Sequence, residues 1–299
     1  MFDWKLALEA VGMIIYATFM GFIFMGIERK AMARIQRRVG PPIYQPILDT
    51  LKLLGKKESI SHGFIYDFGP VFALGASIAA LLFIPIANFQ LFSSNADLIV
   101  VAYLLEAPML GIMLGAMSSG NPYSAVGVQR GLLTMVAMQL PYGLALIALI
   151  QHWGTFKLGN IVALQGVHGW SITVPALLLA FIVFDIVFQA MLGLEPFDII
   201  TAPAEISMGP MVEYGGKHAA LLFTHHAVQL FAETAFFAVL FLGGASNLLE
   251  LLVKQIAVLF IAIFVASIYP RFTIDQAAKF FWKWPTILGI IAVILTMGW

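Results

Sequence analysis

Cysteine is absent from all 299 residues. That excludes disulfides, thiolate metal sites and iron–sulfur ligation by this chain. Charge is scarce too: Asp, Glu, Lys and Arg make up 11% of the residues, against about a quarter in a soluble domain. A water-facing surface cannot be built from so little charge. The six histidines lie at 62, 152, 168, 218, 225 and 226. Only His225 and His226 adjoin, and neighbours on a helix diverge by about 100°, which makes a poor chelate. No metal site is expected in this chain. Neither a GxxxxGK[ST] phosphate loop nor a GxGxxG fingerprint occurs, and no nucleic-acid partner is expected. The first residues, with Asp3, Lys5 and Glu9 ahead of a full-length apolar run, do not read as a cleavable signal.

What the chain has in excess is apolar sequence, 61% of it. In a bilayer every backbone polar group must be satisfied internally, by helices or a closed barrel. The apolar runs here are continuous and of helix length, not the short alternation of barrel strands. The expectation is a single all-α, multi-pass membrane domain over 1–299. Its spans fall near 10–27, 68–87, 98–117, 131–150, 174–194, 219–243, 251–269 and 284–299. The last is short, with Trp282, Trp284 and Trp299 bracketing it as interfacial anchors.

The cations orient these spans. Half of the chain's 16 Lys and Arg residues lie between Arg29 and Lys57. Placing that loop in the cytoplasm and alternating sides leaves only Lys5, Lys157 and Lys254 outside, as the positive-inside rule requires. About eight spans then put both termini outside, in a cell (cytoplasmic) membrane; a seven-span reading would turn the C-terminus inward. The cytoplasmic loops are about 28–66 and 195–218. Within the first, Pro46 is suited to starting a helix. Ile47, Leu48, Leu51 and Leu54 then share one face, with Asp49 and Lys52 elsewhere, giving an amphipathic helix in the interface after span 1.

Acids within spans are the candidates for chemistry. Glu106, Asp185 and Glu233 fall near the middles of spans 3, 5 and 6, where each costs about 2.5–3.5 kcal/mol on insertion scales. Such acids mark ion or proton pathways by default; the plain alternative is a bond to a polar group on a neighbouring helix or subunit. Between 195 and 213 lie Glu195, Asp198, Glu205 and Glu213, facing the basic loop from the same side. Oppositely charged loops can close over a polar cavity, and a merely exposed acidic loop has the same spacing. The mixed charge of the first loop suits the docking of another protein.

The stretch Glu28-Arg29-Lys30…Gln36-Arg37-Arg38-Val39-Gly40-Pro41, followed by Gln45-Pro46…Asp49…Lys52-Leu53, resembles the complex I subunit 1 family. Pro196-Phe197-Asp198 and Glu213-Tyr214 are similar to that family's loop between its fifth and sixth helices. Ser119-Gly120-Asn121-Pro122-Tyr123…Gly127…Arg130 and Gly209-Pro210 look more like the membrane anchor of energy-converting nickel–iron hydrogenases and the related sulfane sulfur reductase complex.

The resemblance implies an eight-helix connector subunit without a redox cofactor of its own. It also implies a hydrogenase-like large and small subunit pair on the cytoplasmic face, carrying iron–sulfur clusters and, in the hydrogenase branch, a nickel–iron centre. Ferredoxin is the implied donor. Antiporter-like membrane subunits are implied beside it, with coupling to proton or sodium translocation. On that basis Glu28, Asp49, Arg130, Asp198, Glu205 and Glu213 form the polar cavity, and Glu106, Asp185 and Glu233 continue it into the membrane. Arg29, Arg34, Arg37 and Arg38 form the docking rim. No catalytic residue is expected. Gln139, Met191, Thr201 and Pro203 stand where the family usually has carboxylates. Asp185, six residues before Met191, is displaced from the lost carboxylate; its standing in for that group, mechanical coupling, and coupling carried by the antiporter-like partners all stay open. Two other readings stay open: a quinone-site subunit of complex I proper, and a purely structural anchor. A self-sufficient transporter is disfavoured, because no internal repeat is visible.

Overall fold

The computed structural model describes residues 4–57, 62–87 and 89–298, so Asp3 and Trp299 lie outside it. Among the described residues eleven α-helices follow one another. They are α1 (Trp4–Ile35), α2 (Gln45–Leu54), α3 (Phe64–Phe83), α4 (Asp97–Ser118), α5 (Pro122–Trp153), α6 (Leu158–His168), α7 (Pro175–Met191), α8 (Pro203–Ile206), α9 (Gly216–Phe241), α10 (Leu248–Ile268) and α11 (Ile274–Met297). The protein is an all-α polytopic membrane protein. Six helices, α1, α3, α4, α5, α10 and α11, are long and apolar enough to cross a membrane, and α7 is a shorter apolar helix of 17 residues.

The hub is α9. Every residue from Ala227 to Phe241 is buried, and α9 packs against α1, α2, α3, α6 and α10. Close approach depends on small residues, as in membrane helix pairs generally. A Cβ at Gly21 of α1 would come within 1.9 Å of the Ala227 carbonyl oxygen, so only glycine permits this α1–α9 crossing. Phenylalanines fill the other side of α9: Phe184 of α7 meets Phe237 edge-on with ring centres 5.4 Å apart.

Several boundaries differ from those read from hydropathy. The first helix runs on to Ile35, so Glu28 to Arg34 form its last turns instead of opening a loop. The fifth begins at Pro122, with the Asn121 side chain accepting from the Tyr123 N–H as its cap. Arg130 therefore lies within a helix. The last helix is not short: it starts at Ile274 behind a Thr273–Gln276 capping box. Trp282 and Trp284 accordingly lie inside it instead of bracketing it. Hydropathy lags at these ends because polar first and last turns continue a helix beyond its apolar stretch. The α2 helix is present, with Pro46 in its first turn. Its face divides, however: Leu48, Leu51 and Leu54 are exposed while Ile47 packs onto the core. The short α6 was not anticipated.

Candidate functional site: an acid-lined cavity and its rim

A cavity of about 510 Å³ opens between α1, α4, α5, α9 and the loop after α7. Its walls are mostly apolar, yet five carboxyl side chains border it: Glu28, Glu106, Glu195, Asp198 and Glu233, with Arg29 beside them. Adaptable thioethers fill much of the remaining wall. Pairs Met25 and Met32, Met109 and Met113, and Met135 and Met138 come from α1, α4 and α5.

Toward the α9 wall the polar groups form a chain. Ser77 Oγ lies 2.7 Å from His225 Nδ1 and donates to Gln229 Oε1 at 3.0 Å. Gln229 Nε2 in turn donates to Glu233 Oε1 at 2.5 Å and to the Leu105 carbonyl at 2.7 Å. Gln229 and Glu233 are four residues apart and so meet on one helical face. On the α4 side Gln139 Nε2 donates to Glu106 Oε2 at 2.5 Å. A second cavity of about 320 Å³ lies between α4 and α5, bordered by Glu106, Gln139 and Tyr142. Glu106 thus borders both cavities.

The rim is tied by ion pairs. Arg130 Nη1 meets Glu205 Oε2 at 2.6 Å, and the hydrogen bond from Arg130 holds the Glu205 carboxyl below the usual carboxylate range. Arg271, in the turn between α10 and α11, donates to Asp198 Oδ2 at 2.6 Å. Thr201 bonds the other Asp198 oxygen, and the Phe272 N–H donates to the Pro196 carbonyl at 2.9 Å. Glu213 Oε1 accepts from Asn121 Nδ2 at 2.5 Å, and the Tyr66 hydroxyl donates to the Glu213 carbonyl at 2.7 Å. Tyr66 stacks on Tyr214 with ring centres 4.4 Å apart; burial pushes the Tyr214 phenol up. Arg29 faces Asp49 at 3.4 Å, and Gln45 steadies Asp49 at 2.8 Å.

Of the residues singled out in the sequence, Glu28, Glu106, Asp198 and Glu233 meet in the cavity wall. Arg130, Glu205, Glu213 and Asp49 lie in the rim bonds just described, outside that wall. Asp185 is half-buried on α7 and does not border either cavity, whereas Met191 does border the first. Arg34, Arg37 and Arg38 are exposed; Arg29 instead turns inward to Asp49 and the cavity. Sequence reasoning missed Arg271, Ser77 and the Gln229 relay. Arg271 carried a usable signal, since it falls on the same side as the acidic loop; Ser77 carried none.

The sequence profile of the NADH dehydrogenase family matches residues 8–297. The chain belongs to that family, the family of complex I subunit 1. Among its relatives, an NADH-quinone oxidoreductase subunit of Protochlamydia amoebophila (strain UWE25) is 32% identical over 294 residues, covering 90% of each chain. The corresponding subunit of Geobacillus kaustophilus (strain HTA426) is 29% identical over 308 residues, covering 96% of this chain and 92% of the relative. A chain in the structure of the membrane-bound sulfane sulfur reductase, an archaeal respiratory membrane complex, is 60% identical and superposes with a TM-score of 0.95. The match covers 98% of this chain and 99% of that one. Membership of the family, read first from the Glu28–Leu53 motifs, is thereby established, together with the close likeness to the sulfane sulfur reductase complex.

Proposed function

We propose that this chain is the membrane connector of a multisubunit respiratory redox complex, in a cytoplasmic membrane, crossing it eight times with both termini outside. It seats a hydrogenase-like large and small subunit pair on its cytoplasmic face and stands beside antiporter-like membrane subunits. Electrons, delivered by ferredoxin, pass through iron–sulfur clusters in those partners, with a nickel–iron centre there if the complex is a hydrogenase. The chain itself couples that redox reaction to proton or sodium translocation. Its likeness to a chain of a respiratory membrane complex at 60% identity supports the assembly. The observation that carries the coupling is Glu106: an acid inside a membrane helix, bonded to Gln139 and bordering two cavities in succession.

Purification of the native complex through a tag on this chain tests the reading. Co-purifying iron–sulfur subunits support it, and nickel with hydrogen evolution fixes the hydrogenase branch. Isolation of the chain without partners overturns it.

A second reading, a quinone site, is favoured by the size and mostly apolar lining of the first cavity and by the relatives named as NADH-quinone oxidoreductase subunits. Quinone extracted in stoichiometric amount from the washed complex would select it.

A further inference from the structure

The outward face of α2 has no role in either cavity. Leu48, Leu51 and Leu54, spaced three apart, are between 48% and 59% exposed. The opposite face is clamped: Pro46 and Thr50 are buried, Asp49 is bonded to Gln45 and Arg29, and Ile47 packs on the core. The leucine stripe is therefore fixed pointing outward. The helix connects α1 to α3, both apolar and long enough to cross a membrane, so it is tethered at membrane level from both ends.

At its C-terminal end stand Lys52, Lys56 and Lys57, all exposed and without an ion pair among the described residues. Lys52, in the last turn, also complements the helix dipole; Lys56 and Lys57 lie beyond the helix, where that account does not reach. The basic residues of this region differ in kind between its two ends. Arginine predominates at the end of α1 and the turn after it, at 29, 34, 37 and 38 with Lys30 among them, and the end of α2 carries lysine alone. Protein interfaces are enriched in arginine and depleted in lysine. Lysine is a hydrated point charge on a flexible stem that lies along apolar surface while its head reaches water. The arginine turn suits a protein surface, and the lysine end beside a leucine stripe suits a layer of phosphates above acyl chains.

We propose that α2 is a binding surface for anionic phospholipid. The Leu48–Leu51–Leu54 stripe enters the acyl boundary, and Lys52, Lys56 and Lys57 hold the phosphate headgroups. This inference rests on the membrane fold and not on the coupling reading, so each can fail without the other.

The test places the photo-crosslinking residue p-benzoylphenylalanine at position 51. The intact complex is reconstituted in bilayers of equal phosphatidylglycerol and phosphatidylcholine and irradiated, and the chain is weighed by mass spectrometry. Each lysine near an anionic surface contributes about fivefold, so phosphatidylglycerol adducts are expected to exceed phosphatidylcholine adducts by roughly tenfold or more. The ratio should fall toward one with Lys52→Gln, Lys56→Gln and Lys57→Gln combined, and toward one in high salt. All three lysines are exposed and have no ion pair among the described residues, so the substitutions leave the described packing untouched. Equal adducts of the two lipids in the unsubstituted chain would overturn the proposal, as would protein adducts in place of lipid.

Discussion

Gln139 donates its side-chain amide to Glu106 across the seam between α4 and α5, at 2.5 Å. An amide cannot take up or release a proton near neutral pH, so at this seam the carboxyl is the sole member that can carry one. Replacing Glu106 with Gln keeps the volume and the bond but removes the titrating group. The expected result is at least a tenfold loss of ion translocation per electron in vesicles, with assembly and redox turnover retained. Unchanged translocation would remove Glu106 from the route.

The same pair makes a stability prediction. Gln139→Leu leaves the carboxyl of Glu106, which is 6% exposed, without its donor. Stranding a buried polar group costs about 1–3 kcal/mol. A lower melting temperature of the purified complex checks this, and Gln139→Glu is expected to differ from Gln139→Leu in translocation as well as in stability.

Arg130 and Glu205 predict a pH dependence at the rim. Arg130 lowers the Glu205 pKa in the folded state. The unfolded chain therefore binds the proton more readily, and the stabilising contribution is complete above the ordinary glutamate value of about 4.3. It is lost as pH falls through the lowered folded value. The protection factors of the amides from 200 to 213, taken relative to the intrinsic exchange rate at each pH, should hold down to about pH 4 and fall modestly below it, as befits a half-exposed pair. In Glu205→Gln they should already be at the lowered level at neutral pH.

Asp198 and Arg271 hold the acidic loop to the turn between α10 and α11, with side chains 15% and 23% exposed. Removing one partner strands the other in a partly dry site. Arg271→Gln and Asp198→Asn are each expected to cost about 1–3 kcal/mol. The double variant should cost less than the sum of the two, measured as a coupling energy by thermal unfolding. Strict additivity would show that the pair does not act as a unit.

Gly21 tests the helix crossing. Its missing Cβ makes room for a backbone carbonyl of Ala227, which cannot rotate away as a side chain would. Gly21→Ala should cost about 1–3 kcal/mol or more through overpacking and reduce the yield of assembled complex. Gly12→Ala on the same helix, where a Cβ meets nothing within 4 Å, serves as the neutral control.

Apolar runs, scarce charge and missing cysteine already determine a helical membrane chain without thiolate chemistry, because a bilayer admits few backbone solutions. The ordered motifs from Glu28 to Leu53 and around Pro196 and Glu213 already point to the family. The amphipathic α2 was legible because Pro46 and the leucine spacing are local signals. Other features were decided only by tertiary structure. Glu106 with Gln139 joins two consecutive helices and Ser77 with Gln229 two helices far apart in the chain, and in neither case does one-dimensional periodicity encode which faces meet. Asp185 and Met191 lie nearly two turns apart on one helix, yet Met191 alone borders the cavity, because helix rotation, set by packing against α5, α9 and α11, decides which residue faces inward. Arg271 became a rim residue for the same reason: a turn distant in sequence was folded against Asp198 by the packing of Phe272 and Phe281 on Phe197.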